Sequence, residues 1–204
     1  MEKIKVAILG QGRSGWGIHG AHLLTDTDRF QVVAVADPIE LRRSKAVEAF
    51  GCAAYEDYSE IYGLKNIDLV VNALPSHLHV PVTLELLEHG FNVLSEKPAA
   101  RYAHEMDALI VAAKESGAIY AVFQQSRLAL HFLKIMEVIE SGVLGRIVEV
   151  KIRYNGYSRR WDWQTLQEFY GGSLLNTGPH PLDQALHLMN VKDIPIVHCK
   201  MDRV

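Results

Sequence analysis

Short apolar runs alternate with stretches of helical periodicity through the first part of the chain. The apolar runs predict buried strands at residues 4–9, 31–36, 68–72, 91–95 and 119–122. Between the last two runs, a helical pattern from Tyr102 to Ser116 ends at Gly117, a typical stop residue. This alternation predicts an α/β fold in which helices cover both faces of a parallel sheet.

The pattern changes after the last of these runs. Residues Leu130 to Ser141 form an amphipathic helical pattern that is closed by Gly142. Residues Ile147 to Tyr154 alternate apolar with charged positions, which predicts a strand with one wet face, as in antiparallel sheets. We therefore expect two domains: residues 1–123 with the parallel sheet, and residues 124–204 with an α+β arrangement whose sheet is mainly antiparallel.

A glycine-rich loop follows the first predicted strand and precedes a potentially helical stretch from Trp16 to Leu24. The loop consists of Gly10, Gln11, Gly12, Arg13, Ser14 and Gly15. In dinucleotide-binding loops the first glycine makes the tight turn, the second admits a pyrophosphate and the third allows close packing of helix on strand. Arg13 and Ser14 add phosphate donors. The loop therefore predicts dinucleotide binding.

Asp37 ends the second apolar run, 22 residues after Gly15. An acid roughly 20 residues beyond the loop is placed to bind the adenosine ribose hydroxyls. Its carboxylate would repel a 2′-phosphate, so NAD is expected rather than NADP, although Arg42 and Arg43 are near enough in sequence to neutralise such a phosphate. Asp37 is equally suited to a strand-ending turn with a helix cap, and both roles are compatible.

Composition narrows the class of protein. The 204 residues are 49% hydrophobic and 22% charged with a net charge of −3, which is typical of a globular protein and shows no nucleic-acid footprint. The two cysteines, Cys52 and Cys199, lack metal-ligand spacing and predict reduced thiols. We find no pattern of a signal peptide or a membrane span, so a cytoplasmic location and no membrane partner are expected.

Five motifs together resemble the Gfo/Idh/MocA oxidoreductase family. They are the loop from Gly10 to Gly15, Asp37, the run from Pro75 to His79, Glu96-Lys97-Pro98, and the run from Gly171 to Asp183. The resemblance implies a Rossmann domain followed by an α+β substrate domain, with NAD(P) as cofactor and a homo-oligomeric assembly. It also implies a cis bond before Pro98.

The resemblance further implies a catalytic set of Lys97, His180 and Asn176. Lys97 would donate a hydrogen bond to a substrate oxygen, and His180 would accept the proton of the substrate hydroxyl. Many family members carry aspartate where this chain has Asn176, so the proton path or the substrate is expected to differ. An isolated lysine before a turn would otherwise be a solvated residue, and His180 would otherwise mark a helix start with Pro181 at the first helical position.

The remaining candidate residues come from the resemblance, from the start of the second domain, and from the polar, aromatic loop Trp161-Asp162-Trp163, since aromatic faces beside hydrogen-bonding groups suit polyols and sugars. The expected cofactor contacts, besides the loop, Asp37 and Arg42, are Leu74, Pro75, Ser76, His79, Glu96, Lys97 and Gln125. The expected substrate contacts, besides the catalytic set, are Arg127 and Trp161. Ser76 is equally compatible with a helix cap. His77 and His79 have no converging carboxylates or cysteines, so no metal is expected.

The sequence thus predicts an NAD(P)-dependent oxidoreductase that transfers hydride to or from a secondary alcohol of a sugar, cyclitol or related polyol. Two alternatives stay open: an NAD-retaining glycoside hydrolase of the same fold, and a noncatalytic NAD-binding protein. One further departure from the family lies at His19, which follows Gly15 by four residues rather than three.

Overall fold

The computed structural model describes residues 2–156 and 159–202 of the chain. The chain divides into two compact units. The first comprises Met1–Phe123 and Arg160–Asn176, and the second comprises Gln124–Arg159 and Thr177–Val204. The first unit therefore recruits a later segment of the chain, in addition to residues up to Phe123.

A six-stranded parallel sheet forms the centre of the first unit in the described part of the chain. Its strands are β1 (Ile4–Leu9), β2 (Phe30–Ala36), β3 (Ala53–Tyr55), β4 (Leu69–Asn72), β5 (Val93–Ser95) and β6 (Tyr120–Val122). The spatial order is β3-β2-β1-β4-β5-β6, and every neighbouring pair is parallel. Because the order reverses between β1 and β4, the connections leave the sheet in opposite directions there, as in Rossmann folds.

Helices cover both faces of this sheet. They are α1 (Ala21–Thr25), which a π-helical turn (Gly15–Gly20) precedes, then α2 (Glu40–Phe50), α3 (His79–Glu88) and α4 (Ala103–Ser116). Alternate residues of β1 serve the two faces: Val6 and Ile8 pack in one buried cluster, while Ala7 and Leu9 pack in the other. Among the described residues, no helix combines the length and apolar character needed to cross a membrane.

The structure confirms the predicted parallel sheet and adds one strand that the pattern missed. Each of the five strands predicted for this sheet is present, with ends that differ from the prediction by no more than two residues. The missed strand, β3, has the sequence Ala-Ala-Tyr and lies at the edge of the sheet beside β2. Its three residues are half-exposed or exposed and contain no Val, Ile or Leu, so their pairing with β2 identifies them as a strand.

The segment Arg160–Asn176 of the first unit is built from short helical turns. It contains two 3₁₀ turns, Trp163–Thr165 and Gln167–Phe169, followed by α6 (Ser173–Asn176). Backbone hydrogen bonds close the segment on itself, because the Gly172 N–H donates to the Gln164 carbonyl at 2.8 Å. These contacts give the segment a defined shape without a strand or a long helix.

The regular elements that the structure describes in the second unit are all helical. Its elements are a 3₁₀ turn (Gln125–Leu128), α5 (Leu130–Glu140) and α7 (Pro179–Leu188). The Arg127 guanidinium donates to both carboxylate oxygens of Asp183, at 2.6 and 2.8 Å. The Gln184 side chain donates to the Ser126 carbonyl at 3.1 Å. These bonds join the 3₁₀ turn to α7.

One expectation for this unit was wrong. Residues 147–154 form no strand, although they alternate apolar and charged positions. A strand requires a partner for its backbone N–H and C=O groups, and no described segment pairs with these residues. α7 begins at Pro179 and contains His180, so the alternative interpretation of Pro181 as the first helical residue does not hold, since Pro179 suits that position equally well.

Candidate active site

A crevice opens at the carboxyl ends of four neighbouring strands of the first unit. Gly10 follows β1, Asp37 follows β2, Ala73 follows β4 and Glu96 follows β5. These strands flank the point where the sheet order reverses. Ligands of open parallel sheets bind at such a point because the loops leaving the sheet diverge and expose the strand ends.

The crevice is lined by residues from the strand ends and from the segment Arg160–Asn176. The lining consists of Gly10, Gly12, Arg13, Ser14, Asp37, Pro38, Arg42, Ala73, Leu74, Pro75, Ser76, His79, Glu96, Lys97, Arg160, Asp162, Trp163 and Gln164. All these residues belong to the first unit. The structure therefore brings most of the predicted cofactor contacts together around one space.

The glycine loop has the shape that a dinucleotide requires. Gly10 has a φ of 82°, and a Cβ built there would lie 2.7 Å from the Ala73 carbonyl oxygen. A Cβ at Gly15 would lie 1.7 Å from the Gly10 carbonyl oxygen. At Gly12, by contrast, a Cβ would meet only the Arg42 guanidinium at 3.9 Å. Gly10 and Gly15 thus permit close packing, whereas Gly12 keeps a backbone surface open for a pyrophosphate.

Asp37 is buried, with 3% of its surface exposed, and it holds the turn after β2. Its carboxylate accepts hydrogen bonds from the Gln11 N–H at 2.7 Å and the Ile39 N–H at 2.9 Å. The Arg42 guanidinium lies 3.4 Å from the same carboxylate. Asp37 therefore forms the strand-ending turn, as one of the two predicted roles requires, and it also lines the crevice.

The Lys97 ammonium lies at the end of β5 and contacts Asn176. Its Nζ donates to the backbone carbonyl of Asn176 at 2.7 Å and to its side-chain Oδ1 at 3.1 Å. The Lys97–Pro98 peptide bond is cis, as the resemblance implied. Asn176, the residue that departs from the family pattern, thus contacts the predicted catalytic lysine directly.

Burial lowers the pKa of Lys97 below its usual value, because the charged ammonium loses contact with water. The nearby carboxylate of Glu96 opposes this effect, and the positive charges of Arg13 and Arg160 add to it. The ammonium therefore loses its proton more easily than that of a surface lysine, a property that suits a group exchanging hydrogen bonds with a reacting oxygen.

Glu96 forms a buried pair with His19 beside this lysine. His19 Nε2 lies 3.0 Å from Glu96 Oε1, and both side chains are 6% exposed. Burial by itself would raise the pKa of Glu96, but the hydrogen bond and charge of His19, together with the Lys97 charge and N–H, lower it overall. Glu96 is therefore held as a carboxylate.

His79 is buried below the crevice and bridges two loops. One ring nitrogen lies 2.8 Å from the Pro98 carbonyl oxygen, and the other lies 2.9 Å from that of Leu74. Burial lowers the pKa of this imidazole, although its hydrogen bonds to both carbonyls oppose the effect. His79 thus ties the turn after β4 to the chain after Lys97, in addition to lining the crevice.

The segment Arg160–Asn176 supplies residues that the sequence did not select. Arg160, Trp163 and Gln164 line the crevice, while Trp161, the predicted substrate contact, is 92% exposed. Arg160 hydrogen-bonds to Asp162 at 2.9 Å and to Gln164. The alternation of charged and aromatic residues from Arg160 to Trp163 was the available signal, but it does not indicate which tryptophan faces inward.

Three of the predicted site residues belong to the second unit. Gln125 and Arg127 are exposed in the 3₁₀ turn, and His180 is in α7. Asp183 pairs with Arg127, and the His187 ring lies 5.9 Å from that of Phe132. Asp183 and His187 are therefore engaged within their own unit.

Among the described residues, no group of three or more His, Cys, Asp or Glu side chains is arranged to hold a metal ion. The acidic and imidazole groups around the crevice are engaged instead with protein partners, as in the pairs His19–Glu96 and Asp37–Arg42.

Sequence comparison extends these observations to known proteins. Residues 4–124 match the family described as the oxidoreductase family with an NAD-binding Rossmann fold, GFO_IDH_MocA. Residues 132–203 match the GFO/IDH/MocA C-terminal domain. The chain is 32% identical over 194 residues to scyllo-inositol 2-dehydrogenase (NADP(+)) IolW of Bacillus subtilis strain 168, covering 94% of this chain and 53% of that protein. The chain thus spans about half the length of this curated relative.

Solved structures agree with the sequence comparison. An NAD-binding protein from Listeria innocua superimposes with a TM-score of 0.83 at 30% identity, covering 92% of this chain and 55% of that one. The WlbA dehydrogenase from Bordetella pertussis, crystallised with NADH and UDP-GlcNAcA, gives a TM-score of 0.75 at 26% identity, covering 92% and 55%. Taken with the glycine loop, the sheet order and the Glu96-Lys97-Pro98 motif, these matches show that the chain belongs to the Gfo/Idh/MocA family of oxidoreductases.

Proposed function

We propose that this chain binds NAD in the crevice of its first unit and takes part in oxidising or reducing a secondary alcohol of a sugar, cyclitol or related polyol. One observation carries the proposal. The Lys97 ammonium lies in the same crevice as the glycine loop, where it can reach a ligand held against that loop. A cation at that place stabilises negative charge that develops on a substrate oxygen.

The cofactor would be held by groups already in position. The open backbone at Gly12 suits a pyrophosphate, which Arg13 and Ser14 would also contact. The Asp37 carboxylate would accept hydrogen bonds from the ribose hydroxyls, which favours NAD. The relative IolW is named for NADP(+), and Arg42 beside Asp37 is the cation that a 2′-phosphate would meet. A comparison of the two cofactors therefore belongs in the first experiment.

In the proposed reaction, a bound nicotinamide supplies the hydride acceptor or donor. Lys97 donates a hydrogen bond to the substrate oxygen and stabilises its charge as the carbonyl forms or disappears. Asn176 holds the lysine through two contacts. His180 exchanges the hydroxyl proton, a role that rests on the family resemblance. Because Asn176 carries no charge, it orients Lys97 without the ion pair that aspartate would form.

Relatives and crevice chemistry support a polyol or sugar as substrate. IolW is named for scyllo-inositol, and WlbA was crystallised with a nucleotide sugar. The crevice of this chain presents the Trp163 ring among polar groups that include Arg160 and Gln164. An aromatic face beside hydrogen-bonding groups fits the mixed apolar and hydroxyl surface of such compounds.

Binding of the cofactor is the first test. The purified chain is titrated with NAD and with NADP by calorimetry, and then assayed for NADH formation with inositols, hexitols and alkyl glucosides. We expect binding of NAD that is tighter than that of NADP, and NADH formation with at least one of these alcohols. Binding of neither cofactor would refute the proposal. A product that is a free sugar, without NADH, would support the hydrolase alternative instead.

The Lys97→Met variant distinguishes a role of Lys97 in the chemical step from a role in NAD binding. The substitution removes the ammonium but keeps the length of the side chain, so turnover is expected to fall by at least about 100-fold. The dissociation constant for NAD is expected to change by less than about threefold, because the glycine loop and Asp37 remain. The matched control is Lys114→Met, on an exposed position of α4. Unchanged turnover in Lys97→Met would exclude the proposed role.

A further inference from the structure

The His19–Glu96 pair is a buried polar contact that the proposed reaction does not itself use. Nε2 of His19 lies 3.0 Å from Oε1 of Glu96, and each side chain is 6% exposed. The ring of Phe123 lies against His19 with 4.5 Å between ring centroids. The imidazole therefore has little freedom to leave the carboxylate, and its position is set by packing as well as by the hydrogen bond.

Glu96 transmits this contact to Lys97. Its second carboxylate oxygen, Oε2, accepts a hydrogen bond from the Lys97 backbone N–H at 3.2 Å. Its own backbone N–H donates to the Asn72 carbonyl at 2.9 Å, which continues the pairing of β4 with β5. One carboxylate thus links an imidazole on one side to the backbone of the proposed catalytic lysine on the other.

We infer that His19 is a positioning residue for Lys97: through Glu96, it fixes the backbone from which the Lys97 side chain reaches into the crevice. This inference rests on the proposed function of Lys97. His19 need not touch substrate or cofactor in this arrangement, since its effect passes through the carboxylate.

The backbone around His19 is built to make this contact. His19 lies in the π-helical turn Gly15–Gly20, whose wider bonding includes an Ala21 N–H donated to the Trp16 carbonyl five residues earlier. In an α-helix each residue rotates the chain by about 100°, so an additional residue would carry the histidine away from the sheet. A π turn absorbs an additional residue. The four-residue spacing from Gly15 to His19 is therefore compatible with a buried contact to Glu96.

A contribution to folding stability does not by itself explain why the His19–Glu96 pair is buried. Two buried polar groups lose hydration, and a buried ion pair is often no more stabilising than apolar residues of similar volume. A buried carboxylate that loses its partner is destabilised, however, and it then moves or takes up a proton. Either response would disturb the hydrogen bond that the carboxylate accepts from the Lys97 backbone N–H. Loss of the His19 side chain should consequently change the reactivity of the Lys97 amine.

The experiment compares two substitutions that differ by one methylene. In His19→Gln the side chain carries an amide N–H donor and is long enough to reach Glu96. In His19→Asn the side chain carries the same donor but is too short. The amine of Lys97 is labelled in the full chain with an acylating reagent, and the labelling rate is measured by peptide mass spectrometry against the exposed Lys114 in the same sample. His22→Ala is the matched control, because His22 lies on the following helix and its side chain is 63% exposed.

We expect the Lys97 labelling rate to rise at least about threefold in His19→Asn, since release of the ammonium and loss of the Glu96 charge both increase its reactivity. The rates in His19→Gln and His22→Ala are expected to match that of the unchanged chain. Equal Lys97 labelling in all four proteins would overturn the inference, whether or not the chain oxidises a polyol.

Kinetics provide the second readout once a substrate has been found. His19→Asn is expected to lower kcat at least about tenfold while KM for NAD changes by less than about threefold, because Lys97 acts on the reacting oxygen. His19→Gln should restore most of kcat. A general structural defect would instead lower the melting temperature and alter NAD binding in proportion. Altered labelling without any turnover in the unchanged chain would count against the proposed function while the positioning contact stands.

Discussion

Single atoms decide the shape of the crevice at the glycine loop. The two glycines that pack tightly, Gly10 and Gly15, have carbonyl oxygens within 3 Å of the place where a Cβ would be. At Gly12 the nearest atom to the corresponding place is the Arg42 guanidinium, at 3.9 Å. The same residue type therefore permits close packing at two positions and leaves the backbone accessible at the third.

Alanine at these positions should separate the two roles. Gly15→Ala is expected to destabilise the chain by at least about 3 kcal/mol, because the backbone must move to admit the methyl group. Gly12→Ala is expected to change the unfolding free energy by less than about 1 kcal/mol while weakening NAD binding at least about tenfold. Urea denaturation and calorimetry measure the two quantities. Equal stability of the two variants would contradict the geometry of the loop.

The neutral amide at Asn176 leaves the Lys97 ammonium without an acidic partner at that contact. Its Oδ1 lies 3.1 Å from Lys97 Nζ. Burial lowers the pKa of Lys97, and the charge of Glu96 only partly opposes this effect. A carboxylate at position 176 would add a second opposing charge, and an opposite charge favours the ammonium form.

Asn176→Asp is therefore expected to raise the pKa of Lys97. The labelling rate of Lys97, which depends on the unprotonated amine, should then rise at higher pH than in the unchanged chain. Labelling followed across a series of pH values measures the midpoint. Asn66→Asp is the control, since it adds the same charge at an exposed site before β4. An unchanged midpoint in Asn176→Asp would show that the two side chains do not meet in solution.

At the scale of elements, the π-helical turn links the glycine loop to α1. Its six residues, Gly15–Gly20, bury His19 and Gly20 and leave Gly17 exposed. A Cβ at Gly17 would meet no atom within 4 Å. Gly17 thus lies on the outer side of the turn, where a side chain would meet no other part of the chain.

Deletion of Gly17 should convert the π turn to an α turn with little loss of stability. The histidine would then follow Gly15 by three residues and still face the sheet, so the unfolding free energy is expected to change by less than about 1 kcal/mol. Deletion of Val111, exposed in the middle of α4, is the control. It rotates Leu109 relative to Ala112 and should cost several kcal/mol, on the order of 3 or more. Thermal and urea denaturation compare the two deletions.

At the scale of the whole chain, the two units differ in how their backbones are bonded. The first unit has a sheet whose central strands, β1 and β4, are buried and paired on both sides. In the second unit, residues 147–156 and 192–202 make no backbone hydrogen bond within the described part of the chain. Ile194 and Ile196 of this unit are 97% and 91% exposed.

Amide hydrogen exchange should show this difference. Residues 6–9 and 70–72 are expected to exchange only on global unfolding, since their N–H groups are bonded and buried. Residues 147–156 and 192–202 are expected to exchange at rates within about tenfold of an unfolded peptide. Mass spectrometry of peptic fragments measures both groups. Strong protection of residues 147–156 would indicate that they have found the strand partner predicted from their alternating pattern.

The strands show how much of the fold can be predicted from local sequence patterns. Apolar runs identified β1, β2, β4 and β5 because those strands are largely buried and leave continuous apolar sequence, and they also identified β6, although it is half-exposed at the edge of the sheet. The same criterion failed for β3 at the edge, and alternation misidentified residues 147–154. A strand is defined by its backbone pairing with another segment. An alternating sequence pattern is therefore not enough to form a strand when no partner segment is present.

Local sequence was sufficient to predict the parallel α/β fold and to select the glycine loop, Asp37 and the Glu96-Lys97-Pro98 motif, because short-range periodicity and motif spacing encode them. Which side chains meet is known only from the folded chain. The fold pairs His19 with Glu96 across 77 positions and Lys97 with Asn176 across 79, and it places Trp163 in the crevice while leaving Trp161 exposed. These contacts depend on how distant segments fold onto one another, and no local pattern in the chain carries that information.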